Sequence, residues 1–227
     1  MRPRPATAPA AGPAETATGA GPSPYTLLAR LLEYPAPDIL AGRPEIAAAL
    51  NAMEGAPWAA APLREFLSWW TETPGWEVQA AYVSTFDTGR RCSLYLTYPL
   101  FGDRRERGMA LLRLKRRYAA HGLVLAGAEL PDFLPVVLEY AADDPDGEAL
   151  LAEHRVSLEL LRAALETSGD RFATPVSVLC DLLGPLTDEE RQRVRQIAEH
   201  GPPMEEVGLE PFAPPEFMPR DPQDVRR

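Results

Sequence analysis

The chain has 227 residues and a formal net charge of −10, from 23 Lys and Arg against 33 Asp and Glu. No apolar run approaches the roughly 18 residues that a membrane helix needs, so we predict no direct membrane insertion. The acidic balance argues against general nucleic-acid binding. Cys92 and Cys180 form no Cys-x-x-Cys motif, which argues against a disulfide framework or a zinc site and favours a reducing cytoplasm.

Proline marks both ends of the chain. Residues 1–24 hold six prolines and seven alanines but only three charged residues, which predicts a disordered arm without the apolar segment of a secretory signal. Residues 201–227 hold seven prolines with six acidic and three basic residues, which predicts an extended tail. Residues 25–200 have the size of one all-helical domain. Four apolar tail residues could dock elsewhere on the protein: Val207, Leu209, Phe212 and Phe217.

Apolar residues within 25–200 follow helical spacing. Leu63, Phe66, Leu67 and Trp70 fall at i, i+3, i+4 and i+7, which places them on one face of a helix. Similar stripes recur, so we predict an all-α, single-domain helical bundle. The predicted helices span residues 24–34, 38–53, 58–72, 75–87, 103–120, 131–142, 147–167, 175–183 and 187–199.

Capping residues predict where several helices begin, because a polar side chain there accepts from unpaired backbone N–H groups. The signals are Ser23 before Pro24, Thr174 before Pro175, Thr187 with Glu190, and Asp103 with Glu106. Residues 92–98 contain strand-forming side chains. A lone strand would leave its backbone groups unpaired, so we predict an irregular or short helical segment there.

The three histidines have structural explanations. His121 and His200 precede glycines at predicted helix ends, where an imidazolium favours the helix dipole. His154 lies on a leucine stripe, which is typical of a core histidine. No His-x-x-x-His or Glu-x-x-His pair occurs, so we predict no helix-borne metal site.

No catalytic set of side chains is visible either. Arg90 and Arg91 could lower the pKa of Cys92, but no histidine partner is identifiable, which favours a structural thiol. Asp132 and Glu139 lie seven residues apart on one predicted helix and lack a third group for acid–base catalysis. We therefore predict that the protein is not an enzyme.

Charge is unevenly distributed along the domain. Residues 89–117 carry nine basic and two acidic residues, whereas residues 121–200 carry six basic and sixteen acidic ones. The simplest interpretation is an arginine-rich helix that is solvated and pairs with the acidic half. An RNA-binding or regulatory helix is the alternative, although no aromatic stacking residues accompany the arginines. The acidic surface could attract a basic peptide.

Three stretches carry a resemblance to a known family. The first comprises Phe86-Asp87, Arg90, Ser93-Leu94-Tyr95-Leu96 and Gly102-Asp103-Arg104-Arg105-Glu106-Arg107-Gly108. The second comprises Glu129-Leu130-Pro131-Asp132, Leu134-Pro135 and Leu138-Glu139-Tyr140, and the third is the tail over 201–212. Over roughly residues 25–212 the chain resembles the nitrate reductase delta subunit family, the NarJ-type molybdenum cofactor assembly chaperones, which are related to TorD and DmsD.

The resemblance implies an all-helical cytoplasmic chaperone without a stably bound cofactor. It would bind the N-terminal segment of the catalytic alpha subunit of nitrate reductase, and cofactor-biosynthesis proteins could be further partners. The molybdenum bis-guanine-dinucleotide cofactor would belong to the client. The chaperone would keep the client competent for insertion of this cofactor before membrane docking. Relatives often have histidine where Phe101 and Phe133 stand. Positions that match family motifs are Phe86, Asp87, Arg90, Ser93, Leu96, Gly102, Asp103, Arg105, Arg107, Gly108, Pro131, Asp132, Leu134, Pro135 and Glu139.

A helical bundle can take an amphipathic client helix into an apolar groove. We predict a groove that includes Leu94, Leu96, Phe133, Leu134, Val137 and Tyr140, with Asp132 and Glu139 at its rim. The alternative is that the aliphatic members are core. With the motif positions, the predicted client-binding set is Phe86, Asp87, Arg90, Ser93, Leu94, Leu96, Asp103, Arg105, Arg107, Asp132, Phe133, Leu134, Val137, Glu139 and Tyr140. A chaperone that proofreads another molybdoenzyme's twin-arginine leader is an alternative function.

Overall fold

The computed structural model describes residues 23–52, 61–88, 90–125 and 129–200, so the predicted arm and tail lie almost wholly outside it and the three-part division stays a prediction. Within these ranges the elements are helical, which confirms the predicted all-α class. A π-helical turn spans Val83–Asp87 and a 3-10 turn spans Arg90–Cys92. The α-helices are α1 (Pro24–Leu32), α2 (Pro37–Ala41), α3 (Arg43–Ala52), α4 (Ala61–Glu72), α5 (Gly75–Tyr82), α6 (Tyr98–Phe101), α7 (Arg105–Ala120), α8 (Leu134–Asp143), α9 (Pro145–Glu153), α10 (Arg155–Ser168), α11 (Ala173–Leu182) and α12 (Asp188–His200).

Helix α1 lies in the middle of the core. Its Leu27, Leu28, Leu31 and Leu32 are buried, and it packs against α3, α8 and α11. Burial of each such leucine contributes roughly 1.5–3 kcal/mol. Because α1 contacts α8 along its length, it fixes the helix that carries Glu139 and Tyr140.

An aromatic cluster around Phe172 joins α4, α5 and the residues before α11. The ring centroid of Phe172 lies 5.5 Å from that of Phe66, 6.0 Å from Trp69, 5.8 Å from Tyr82 and 5.0 Å from Phe86. The contacts are edge-to-face, the favoured geometry for aromatic pairs. The cluster holds the π-helical turn against the core.

Two of the predicted helix starts are confirmed and two are wrong. The Ser23 hydroxyl accepts from the Tyr25 N–H at 3.3 Å, and Thr187 and Glu190 form the reciprocal capping box. Asp103 does not cap α7, whose N-cap is Arg104. Thr174 lies inside α11, because that helix begins at Ala173.

Two predicted helices are each divided in the structure. The predicted helix 38–53 is two helices, α2 and α3, which meet at Gly42. The predicted helix 147–167 is also divided, because His154 leaves helical geometry at φ −99° and ψ 18° between α9 and α10. His154 is therefore a half-buried junction residue and not a core histidine, and its Nδ1 lies 3.0 Å from the Leu150 carbonyl oxygen.

Helices α8 and α9 cross backbone to backbone at Gly147. A Cβ atom added at Gly147 would lie 2.4 Å from the backbone nitrogen of Ala141 and 2.6 Å from the carbonyl carbon of Tyr140. Only a residue without a side chain fits so close an approach. The crossing sets the position of α8, and so of the second family-like motif.

Candidate functional site

The first family-like motif lies on the π-helical turn. Phe86 is buried against Phe172, whereas Asp87 is exposed at the end of the turn. The Thr85 hydroxyl donates to the carboxylate of Asp170 at 2.5 Å, which ties the turn to the segment before α11. The structure thus separates Phe86 and Asp87 into a core residue and a surface residue. The side chain of Arg90 lies outside what the structure describes.

The first and second motifs meet through their backbones. The Leu96 N–H donates to the Asp132 carbonyl at 2.9 Å, and the Leu134 N–H donates to the Leu94 carbonyl at 2.8 Å. Tyr95 and Phe133 form an isolated antiparallel bridge within this pairing. The prediction of an irregular segment at 92–98 is confirmed, and the bridge supplies partners for its backbone groups.

A buried carboxylate joins the two motifs through their side chains. Asp132 has no exposed surface and accepts from the Thr97 hydroxyl and from the Thr97 N–H, the latter at 3.2 Å. Its Oδ2 lies 3.6 Å from Nη2 of Arg107, and Nε of Arg107 donates to the Thr97 hydroxyl oxygen at 3.2 Å. Asp132, Thr97 and Arg107 therefore form one polar unit, which we name the Asp132 latch.

Aromatic rings enclose the cation of the latch. The guanidinium of Arg107 lies 5.5 Å from the ring centroid of Tyr95 and 5.5 Å from that of Tyr98. The Tyr118 hydroxyl donates to the Pro131 carbonyl at 2.7 Å and so holds the loop that carries Asp132. Arginine is suited to this position because its planar cation stacks on rings and donates to oxygens at once.

The predicted groove over the two motifs is wrong in most of its members. Five of the predicted groove residues are buried in the core: Leu94, Leu96, Leu134, Val137 and Tyr140. This agrees with the alternative interpretation, that the aliphatic members are core residues. Phe133 is half-buried against the same core, with its ring 5.4 Å from that of Tyr95. Hydrophobic residues at helical spacing fill the core here and leave no open apolar surface.

The prediction for Asp132 is also wrong, because a fully buried residue cannot stand at a groove rim. Helix α8 begins at Leu134 and not at residue 131, so Asp132 lies in the loop before it. Pro135, in the first turn of α8, was the sequence signal for this later start. The contacts of the Asp132 carboxylate are with Thr97 and Arg107 of the latch.

Other members of the predicted set are accessible. Asp87, Asp103 and Arg105 are exposed, and Ser93 is half-buried with its hydroxyl accepting from the Tyr95 N–H at 3.2 Å. The Glu139 side chain is 55% exposed and lies 3.8 Å from Arg30. Partial loss of hydration raises the pKa of Glu139, and Arg30 opposes that rise.

An open groove that the sequence did not indicate lies between α1, α2 and α3, with a volume of about 400 Å³. Asp38, Glu45 and Arg30 stand at its edge, and Arg30 contacts Glu33 at 2.9 Å and Glu139 at 3.8 Å. Two carboxylates line the groove and two more contact its Arg30, so we name it the acid-rimmed groove. Its apolar lining comprises Leu27, Ile39, Ile46 and Ala49.

A second groove, of about 380 Å³, lies between α10, α12 and residues 91–99. We name it the α10–α12 groove. Among its lining residues the charged one is Arg91, which is exposed, and Cys92 is half-buried there. Burial raises the pKa of Cys92, which contradicts the lowering expected from neighbouring arginines. The remaining lining residues are Pro99, Leu160, Ala163, Ala164, Thr167, Ser168, Ile197 and Ala198.

The arginine-rich helix α7 pairs with the acidic half, as predicted, at two of its residues. Arg107 belongs to the Asp132 latch, and Arg117 contacts Asp146 at 2.6 Å and Glu153 at 2.8 Å. The Arg117 guanidinium and the Tyr140 hydroxyl both donate to Asp146 and hold its pKa below the usual range. These contacts fasten α7 to α8 and α9.

The ranges that the structure describes contain neither a metal-binding cluster nor a membrane-spanning helix. No group of three or more His, Cys, Asp or Glu side chains there could hold a metal ion. No helix in those ranges combines the length and apolar composition needed to cross a bilayer.

Comparison with known proteins defines the class first and the family second. The fold is similar to that of a candidate redox enzyme maturation protein from Archaeoglobus fulgidus, whose crystal structure superposes with a TM-score of 0.55 at 22% identity and covers 77% of this chain and all of that one. The sequence profile described as "Nitrate reductase delta subunit" matches residues 51–178. The chain belongs to that family, which confirms the resemblance noted from its motifs.

Two relatives show how far the similarity extends. The nitrate reductase molybdenum cofactor assembly chaperone NarJ of Escherichia coli K12 is 36% identical over 168 residues, 73% of this chain and 71% of that protein. The nitrate reductase-like protein NarX of Mycobacterium tuberculosis is 42% identical over 110 residues, 46% of this chain and 17% of that protein.

Proposed function

We propose that this protein is a cytoplasmic assembly chaperone that binds the N-terminal segment of the catalytic alpha subunit of nitrate reductase. It keeps the apoenzyme competent for molybdenum cofactor insertion and delays membrane docking until the cofactor is loaded. The observation that carries the proposal is the similarity to a molybdenum cofactor assembly chaperone over most of both chains. The helical fold of the described residues, similar to that of a candidate redox enzyme maturation protein, is consistent with it.

The molybdenum cofactor stays with the client in this proposal. Bis-guanine-dinucleotide carries several phosphate charges, and the acid-rimmed groove, with Asp38, Glu45 and Glu139 at or near its edge, would repel them. The protein's role is therefore to hold a polypeptide, with cofactor-biosynthesis proteins acting as further partners.

The acid-rimmed groove is the place where we expect the client segment to dock. Its floor is apolar and its edge is acidic, which fits an amphipathic helix that buries one face and presents cations to the rim. Glu139, from the second family-like motif, reaches this edge through Arg30. The buried motif residues shape the platform below, and the Asp132 latch holds the loop before α8 in place.

Calorimetric titration with a synthetic peptide of the alpha subunit's first residues tests this proposal. We expect binding that weakens between low and high salt, because rim carboxylates contribute part of the attraction. Glu139→Gln should reduce the salt dependence. Ala49→Arg should reduce affinity for the peptide by about tenfold or more, which corresponds to about 1.4 kcal/mol. The new side chain fills the groove, and its positive charge repels the cations of the client helix.

Ala48→Arg is the matched control, since Ala48 is the exposed neighbour of Ala49 and does not line the groove. Equal loss of affinity in both variants would remove the groove from the client site. Absence of binding to the wild-type protein at either salt concentration would contradict the proposed function itself. Tighter binding of a twin-arginine leader from another molybdoenzyme would reassign the client.

A further inference from the structure

We propose that residues 201–212 of this chain dock in the α10–α12 groove. The groove presents a mostly apolar lining from Leu160, Ala163 and Ala164 of α10 and from Ile197 of α12. Its volume of about 380 Å³ is in the range of sites that bind ligands through apolar contacts.

The chain leaves α12 directly beside the groove. Ile197 and Ala198 line the groove, and α12 ends at His200. Ala198 therefore lies about 3 Å along the helix axis from the last residue of α12, and residue 201 is the next in the chain. The next eleven residues span at most roughly 36–40 Å when extended, so the segment can reach the whole lining without an intervening loop.

The composition of residues 201–212 suits the groove. The segment carries Met204, Val207, Leu209 and Phe212 with three glutamates and no basic residue. The exposed Arg91 lines the groove and supplies a positive charge there. Attraction between the glutamates of the segment and Arg91 therefore adds to the apolar contacts. The acid-rimmed groove, in contrast, would repel the same segment.

The second half of the tail lacks this complementarity. Residues 213–227 hold three acidic and three basic residues, so they carry no net charge to place against Arg91. Twelve residues also separate them from the end of α12. The docking segment is therefore 201–212, and residues 213–227 provide a control within the same tail.

The two cysteines give a direct measurement of docking. Cys92 lines the groove and is half-buried, whereas Cys180 is fully buried in the core and serves as an internal control. We would compare alkylation rates of Cys92 in the full chain and in the variant V207S/L209S/F212S. Tethering gives the segment an effective concentration on the order of millimolar, so a segment with a dissociation constant of about 0.1 mM would slow the reaction about tenfold.

We expect Cys92 to react about tenfold faster in V207S/L209S/F212S, with Cys180 unreactive in both proteins. The control F217S/M218S, in the second half of the tail, should react at the wild-type rate. A synthetic peptide of residues 201–212, added at millimolar concentration, should slow the reaction of the triple variant. Thermal melting of each protein verifies that the fold is intact.

Three results would overturn the proposal: equal Cys92 rates in the wild type and the triple variant, equal acceleration by F217S/M218S, or a wild-type rate that falls as protein concentration rises. The last would identify a second copy as the occupant. None of these measurements uses the nitrate reductase peptide, so the outcome is independent of the proposed client. In a separate measurement on the triple variant, protection of Cys92 by the nitrate reductase peptide and not by the peptide of residues 201–212 would assign the groove to the client and refute docking of the tail.

Discussion

The Asp132 latch makes a strong prediction about stability. Replacing Asp132 with alanine removes the acceptor of the Thr97 N–H and hydroxyl in a place without access to water. Arg107, whose side chain is 17% exposed, can turn partly to solvent, so most of the cost falls on the stranded Thr97 groups. At about 1–3 kcal/mol for each stranded group, we expect D132A to lower the free energy of unfolding by about 3 kcal/mol.

The loss can be measured by urea unfolding followed by circular dichroism. For a domain of this size, a loss of about 3 kcal/mol lowers Tm by about 6–12 °C and the urea midpoint by about 1.5 M at a slope of about 2 kcal/mol/M. D132N keeps the shape and one acceptor, so its loss should be smaller. Asp103→Ala, at an exposed carboxylate near the same loop, is the control and should change stability by less than about 0.5 kcal/mol.

The same variants separate structure from binding. Because Asp132 has no exposed surface, folded D132N should bind the client peptide with wild-type affinity and wild-type salt dependence. A stability of D132A within 0.5 kcal/mol of the wild type, the limit for an ordinary surface substitution, would refute the structural role of the latch. A flattened salt dependence in D132N would return Asp132 to the client site.

Two further predictions concern the crossing of α8 and α9 and the carboxylate beside it. Gly147→Ala should lower the free energy of unfolding in urea by about 2–3 kcal/mol or more, because the new Cβ meets backbone atoms of Ala141 that cannot move aside. The control Gly108→Ala, whose Cβ meets nothing within 4 Å, should stabilise α7 by about 0.5–1 kcal/mol. Equal effects of the two substitutions would contradict the close crossing. Asp146 has a folded-state pKa below its unfolded value, so its contribution is present at pH 7 and is lost as pH falls below about 4. Asp146→Asn should therefore lower the free energy of unfolding by about 1–2 kcal/mol at pH 7, a figure discounted for partial exposure. The difference in unfolding free energy between wild type and variant should be smaller at pH 3. A difference that stays constant with pH would show that Arg117 and Tyr140 do not favour the ionised form of Asp146.

Local sequence patterns were sufficient to predict most of the helices but not the positions where two of them are interrupted. The stripe Leu63, Phe66, Leu67 and Trp70 predicts the buried face of α4, and all four are buried. The break at His154 has no local signal, since the leucine stripe continues through it. Its neighbour Arg155 donates to the carbonyls of Cys180 and Gly184 at 2.5 and 2.6 Å, contacts 25 and 29 residues away. Tertiary hydrogen bonds of this kind cannot be inferred from spacing along one segment.

The candidate site shows the same limit. The motif positions lie on two stretches that the structure joins, because Asp132 and Arg107 meet there together with Thr97. Their role was misjudged because burial depends on how α8 packs under residues 94–97, which no single segment encodes. The acid-rimmed groove was missed because its walls come from α1, α2 and α3, and only their relative placement creates it.

The pairing of residues 94–96 with residues 132–134 has a consequence for local opening of the protein. The amides of Leu96, in the irregular segment, and of Leu134, the first residue of α8, each donate to a buried backbone partner nearly forty positions away. Fraying of a single helix cannot release both, so their deuterium uptake should track global unfolding. An amide in an irregular segment and one at a helix N-terminus would then be among the slowest to exchange with solvent.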